Sequence, residues 1–187
     1  MSISAGESKH TGNISPEFAL LGFLIAGPSH GYDLHHRCVV ELGHVWHVSQ
    51  SQAYAILKRL EQHGDITAQI VEQDKLPARQ MLRITAQGRL RFDKWMGDIG
   101  ANSRSIRLEF LTRLYFARMY KPEKMGQIFE AQCNGIKLAI ERLEALLANL
   151  PPEQQFNQLS LDLRLRQMQL IQEWMRDIKT KIIDLKE

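Results

Sequence analysis

Between Ser49 and Gly64, side chains that donate or accept hydrogen bonds recur at helical spacing. Wound at 3.6 residues per turn, Ser51, Tyr54, Ala55, Lys58 and Gln62 share one side of a helix, and Ala53, Ile56, Leu57 and Leu60 stack on the other. The polar side makes contacts rather than covalent bonds. Hydroxyls and amides match hydrogen-bonding edges such as those of DNA bases, and the Lys58 ammonium matches a phosphate. Gln50 and Gln52 have the amide geometry that reads adenine bidentately, although Gln52 is also placed to cap the helix start. An ordinary surface helix has the same polarity, so the surrounding elements must decide between the two.

A second constellation is His35, His36, His44 and His47 with Cys38 among them. Metal binding is its obvious chemistry. Adjacent His35 and His36 point about 100° apart on a helix, however, and no second cluster supplies ligands at zinc-like spacing. No metal or other cofactor is therefore expected. The chain also lacks a glycine-rich phosphate loop, a Cys-x-x-Cys pair and a His-Glu-x-x-His helix, so no enzyme motif competes.

The helix carrying the polar face has legible ends. Ser49 and Gln52 have the spacing of a capping box, and Gly64 supplies the left-handed residue a C-terminal cap needs. Upstream, Ser15-Pro16-Glu17 predicts a helix start, and Phe18 to Ile25 is apolar on most sides, which places that helix at the centre of its domain. Gly27-Pro28 ends it. Ser29 reads as the cap of a second helix running to Leu42, with Gly43 as its stop. His30 and Tyr32 sit at that helix's N-terminus, where free N–H groups attract a phosphate; a half-buried ring is the alternative for Tyr32. After Gly64 the period changes to two, and Ile66–Val71 and Ala78–Thr85 predict antiparallel strands around a turn at Gln73–Pro77. Three helices followed by a β-ribbon make a winged helix-turn-helix. Lys75 and Arg79 stand at the ribbon tip.

Thr85 begins a further helix, and Ser105–Met119 predicts one apolar around most of its circumference. From Met125 to Leu150, and from Leu161 to Leu185, apolar residues advance by threes and fours, the seam of a coiled coil. Pro151-Pro152 joins the two as an antiparallel hairpin. Leu163, Leu170 and Trp174 lie off the last seam. That surplus is assigned to a second copy of the chain, with Leu163, Met168, Leu170, Ile171, Trp174, Met175 and Ile178 as the expected dimer interface. Trp95, Phe110, Tyr115 and Trp174, with Met119, are candidates for an effector pocket between the two halves; the competing reading makes them core and dimer interface.

The chain has 187 residues, 24 basic and 21 acidic side chains. Residues 1–100 hold ten of each sign, leaving fourteen and eleven beyond. Neither half is a polycationic coat, so any nucleic-acid contact must come from local placement of charge. The two cysteines, Cys38 and Cys133, lie far apart within helical patterns, which favours free thiols in a reducing compartment. Phe18–Ala26 is the longest apolar run, far short of the roughly 20 residues that span a bilayer. The expectation is a cytoplasmic, mainly α protein in three parts: a loose N-terminus over 1–14, a winged helix-turn-helix over 15–97, and a coiled-coil-like helical dimerisation and effector domain over 98–187.

Three blocks resemble the PadR family of bacterial transcriptional regulators, specifically members with a long helical C-terminal domain like the virulence-gene activators. They are Ala19–Gly22 through Gly27–Leu34, Tyr54–Glu61 with Gly64, and Pro77–Arg79 through Arg83–Thr85 and Gly88. Phe110–Ala117 is similar to the start of that family's C-terminal domain. Ala55 stands where the family usually has proline, and Met81 and Leu82 where it has aromatic residues. The resemblance implies a homodimeric regulator, with a repressor as the expected sign, that binds a roughly palindromic operator and is released by a small-molecule effector; Arg79 matches the wing arginine. The rivals are a winged-helix protein-interaction module that never touches DNA and a histidine-based metal sensor.

Overall fold

The computed structural model describes residues 15–73, 76–100 and 102–184, with backbone alone at 71–73, 76–79, 183 and 184. α1 (Glu17–Ile25) is the post on which the first domain is built: Ala19 through Leu24 are all buried. Its start differs from expectation. The N-cap is Pro16, and Ser15 instead accepts a hydrogen bond from Arg59 at 3.4 Å. α2 (Gly31–Leu42) and α3 (Gln50–Gln62) pack on α1 and contribute Leu34, Cys38, Leu42, Ala53, Ile56, Leu57 and Leu60 to the core.

β2 (Ile66–Gln73) and β3 (Leu76–Ile84) form the antiparallel ribbon, in register from Ile66 opposite Ile84. A third strand was not expected. β1 (Ser29–His30) pairs with β3 on its other edge, His30 opposite Met81, so β3 is the central strand. Two residues are too few to show alternation, and Ser29 therefore read as a cap; the N-cap of α2 is His30, without a side-chain bond. α4 (Ala86–Met96) opens on Thr85, whose hydroxyl accepts from the Gly88 amide at 3.0 Å.

Arg91 on α4 binds Glu17 at the start of α1 and Asp65 just beyond α3, and Glu17 also meets Arg59 at 3.4 Å. Three helices are thereby tied at one end of the domain.

α5 (Ser103–Ser105) passes through a π-helical stretch, Ile106–Phe110, into α6 (Leu111–Tyr120). This continuous rod belongs to two cores. Leu108 and Phe116 pack with the winged module, while Ile106, Phe110, Leu114 and Ala117 pack with the helices that follow. A rod apolar all round must be enclosed on both sides.

After a 3₁₀ turn at Pro122–Lys124, α7 (Met125–Ala148) and α8 (Gln155–Asp184) form the hairpin. Met168, Met175 and Ile182 of α8 are buried with Phe129, Ile136, Ile140 and Leu143 of α7 in one core. Leu146 leaves the expected seam and is exposed, while Ile140 is buried; a helix of 3.6 residues per turn drifts from a strict 3.5 repeat over several turns. The expected dimer interface also needs correcting. Met168 and Met175 are consumed by the chain's own hairpin, and Ile171 and Ile178 are half-buried against it. Leu163, Leu170 and Trp174 stay exposed. Leu185 and residues 1–14 lie outside the described residues.

Candidate nucleic-acid interface

α3 is positioned by its two ends and its back. Ser49 Oγ accepts from the Gln52 amide at 3.2 Å, and Gln52 Oε1 accepts from the Ser49 amide at 3.0 Å, closing the capping box. At the other end Gly64 takes φ +75°, a conformation that favours glycine. With Ala53, Ile56, Leu57 and Leu60 buried behind, Gln50, Ser51, Tyr54 and Lys58 are held facing out. The capping bond occupies the Gln52 carbonyl oxygen. That bond takes one lone pair of the oxygen and fixes the direction of the amide, so capping competes with a bidentate pairing to adenine.

The exposed face of α3 opens onto a groove of about 930 Å³ shared with α2 and the ribbon. Leu57 and Leu82 lie at its base, His30 and Tyr32 stand at the α2 end, Tyr54 and Lys58 come from α3, and Gln80 from β3. Asp33 and Glu61 also line it. His30 is fixed by the sheet, since its Nδ1 donates to the Gln80 carbonyl at 2.9 Å. Tyr32, 59% exposed, stacks on His36 with ring centroids 6.4 Å apart.

Gly31 lines the groove and was not among the expected contacts. A Cβ there would stand 3.0 Å from the Tyr54 ring and 3.4 Å from Leu57, so the bare backbone lets Tyr54 lie against the start of α2. The available signal was a glycine opening a helix with a polar tyrosine one element away. Of the remaining expected contacts, Lys75 lies outside the described residues and Arg79 is described by its backbone alone, on β3 opposite Val71.

The expected effector residues do not gather. Trp95 stacks on Phe18 at 4.8 Å in the first core, Tyr115 packs on Phe23 and donates to Glu41, Phe110 is in the second core, and Trp174 lines a groove with Leu170 and Arg104 on the hairpin side. Met119 is exposed. Helical periodicity says which residues turn inward, but not toward which core.

Two of the four histidines, His35 and His36, are occupied individually. His35 Nε2 donates to the Val48 carbonyl at 2.9 Å, holding the link between α2 and α3, and His36 supports Tyr32. Cys38 is buried, and burial pushes its thiol up to about 11, far from the thiolate a metal needs. Among the described residues, no group of three or more His, Cys, Asp or Glu could hold a metal ion.

A winged helix-turn-helix whose second motif helix is braced from behind and presents a polar groove has the geometry of DNA-binding transcriptional regulators. Residues 20–94 match the Transcriptional regulator PadR-like family. Over 140 residues the chain is 26% identical to the negative transcriptional regulator PadR of Bacillus subtilis strain 168, covering 73% of this chain and 77% of that protein. Among solved structures, Bacillus subtilis PadR in complex with operator DNA is 25% identical with a TM-score of 0.45, covering 89% of this chain and 98% of that one. The PadR-like regulator BC1756 of Bacillus cereus is 23% identical with a TM-score of 0.43, covering 96% and 99%. Residues 20–94 thus carry a PadR-like domain, of a family of transcriptional regulators rather than enzymes.

Proposed function

We propose that the chain acts in the cytoplasm as a homodimeric repressor that reads a roughly palindromic operator and lets go when a small molecule binds. The carrying observation is the groove in which Tyr54 and Lys58 of α3 meet His30 and Tyr32 of α2. Gln50, Ser51 and Gln52 extend it along α3, and Lys75 and Arg79 are assigned to phosphate contact. The family relative is a negative regulator, and this supports the sign. Residues 15–97 form the reading module and 98–187 the dimerisation and effector module. Exposed Leu163, Leu170 and Trp174 on α8 join the two copies. Each α3 then enters a major groove, with half-sites about one turn, 34–36 Å, or a multiple apart. Among the described residues no helix is long and apolar enough to cross a membrane.

The test titrates the full chain onto duplex DNA from upstream of its own gene over a range of potassium chloride concentrations. Counterion release makes log affinity fall linearly with log salt, by about 0.9 per neutralised phosphate. Lys58→Ala is expected to reduce that slope by about 1. An unchanged slope in a folded variant removes Lys58 from the interface, and no specific binding at low salt sinks the reading in favour of a protein-interaction module.

A further inference from the structure

The ring of His30 is fixed by a bond that decides what its other nitrogen can do. Nδ1 lies 2.9 Å from the Gln80 carbonyl oxygen, which can only accept, so Nδ1 carries the hydrogen. The bond ties the ring to β3, where His30 stands opposite Met81. Nε2, on the far side of the ring, has no partner among the described residues. It is the nitrogen left to the groove that His30 lines with Tyr54 and Lys58. A neutral imidazole protonated at Nδ1 presents a lone pair at Nε2, and a phosphate oxygen also presents lone pairs, so the two repel. Only the imidazolium donates from both nitrogens.

The charges around the ring include two that favour that form. Asp33 of α2 and Glu61 of α3 line the same groove. Carboxylates oppose an incoming polyanion but stabilise a cation among them. Lys58 of α3 works the other way, as does His36, stacked on Tyr32, whenever it is charged. From β3 the groove receives only the neutral Gln80 and Leu82, and the hydroxyl groups of Tyr32 and Tyr54 complete it. A phosphate arriving at Nε2 adds negative charge and tips the balance toward the imidazolium.

We propose that His30 binds a DNA backbone phosphate through Nε2 as the imidazolium, so that each protomer takes up a proton on binding its operator and lets go more readily as pH rises. The inference rests on the groove being the DNA interface and adds pH as an input to its control. Because the bound state holds the proton more tightly, affinity is greatest at low pH and falls as pH rises through the histidine range. The tautomer that creates this dependence is set by a carbonyl 50 residues away in the chain.

The test titrates the full chain onto duplex DNA from upstream of its own gene at about pH 6 and about pH 8, between which an ordinary histidine loses its charge. Affinity is expected to be about tenfold higher at the lower pH, since a charge-assisted hydrogen bond is gained. The salt slope there should be steeper by about 0.9 for each phosphate that His30 neutralises. Calorimetry in two buffers of different ionisation enthalpy should count proton uptake by the wild type. His30→Asn can keep the bond to the Gln80 carbonyl while losing Nε2, and His30→Gln can place a neutral donor where Nε2 stands. Both variants should bind equally at the two pH values and take up fewer protons, while His36→Asn keeps the wild-type pattern. Equal wild-type affinity at both pH values, or a wild-type pH dependence that survives in either His30 variant, overturns the inference. Loss of the dependence in His36→Asn moves the proton to His36 and overturns it as well. Specific binding without pH dependence refutes the proton alone, whereas no specific binding at either pH refutes the DNA interface and the inference with it.

Discussion

Arg91→Met tests whether the charged tie at the end of α3 holds the reading module together. Arg91 binds Glu17 and Asp65 at once, and its guanidinium sits 5.1 Å over the Phe18 ring. The Asp65 side chain is 1% exposed, and its Oδ1 has no partner, so Arg91 is its main compensation. Removing one member of a fully buried pair costs about 3–5 kcal/mol, because the other charge is left without a partner. Arg91 is itself 35% exposed, so solvent screening lowers the expected loss to roughly 2–3 kcal/mol. Methionine keeps most of the packing on Phe18, which isolates the charge. Urea unfolding at neutral pH should show a lower midpoint with an unchanged m-value. Adding Asp65→Asn to Arg91→Met should recover about half of the loss, since the stranded charge is then gone. A loss below about 0.5 kcal/mol for Arg91→Met, the range of ordinary surface substitutions, would refute the tie as a stabilising element.

Gly31→Ala places a methyl 3.0 Å from the Tyr54 ring and 3.4 Å from Leu57. The exposed ring is the part that yields, so operator affinity should fall roughly fivefold, about 1 kcal/mol, in an anisotropy titration while the melting temperature barely moves. Cys38, with its thiol pushed from 9.0 to about 11, should resist a thiol reagent at pH 8 until the protein unfolds. Because the folded state holds that proton more tightly, its stabilising contribution is present below pH 9 and is lost as pH rises through 11, by roughly 2–3 kcal/mol. Urea melts of wild type and Cys38→Ala across that window should converge. Leu163→Asp with Leu170→Asp should convert the dimer to folded monomer in sedimentation equilibrium; an unchanged dimer places the interface elsewhere.

What the sequence by itself determined is local. The capping box of Ser49 and Gln52, the left-handed Gly64, the buried and exposed faces of α3 and the change of period at the ribbon all follow from interactions within a few residues, and all are present in the structure. Only the tertiary structure decided what depends on distant partners. The pairing of Ser29–His30 with β3, the division of α6 between two cores, the bond from Trp46 to Thr112 and the burial of Arg113 each join residues far apart in the chain. Periodicity marks a side chain as inward-facing; it does not say whether the space behind it is this domain's core, the next domain's core or a cavity. Trp95, Phe110, Tyr115 and Trp174 were separated for that reason, and Met168 and Met175 turned into their own hairpin.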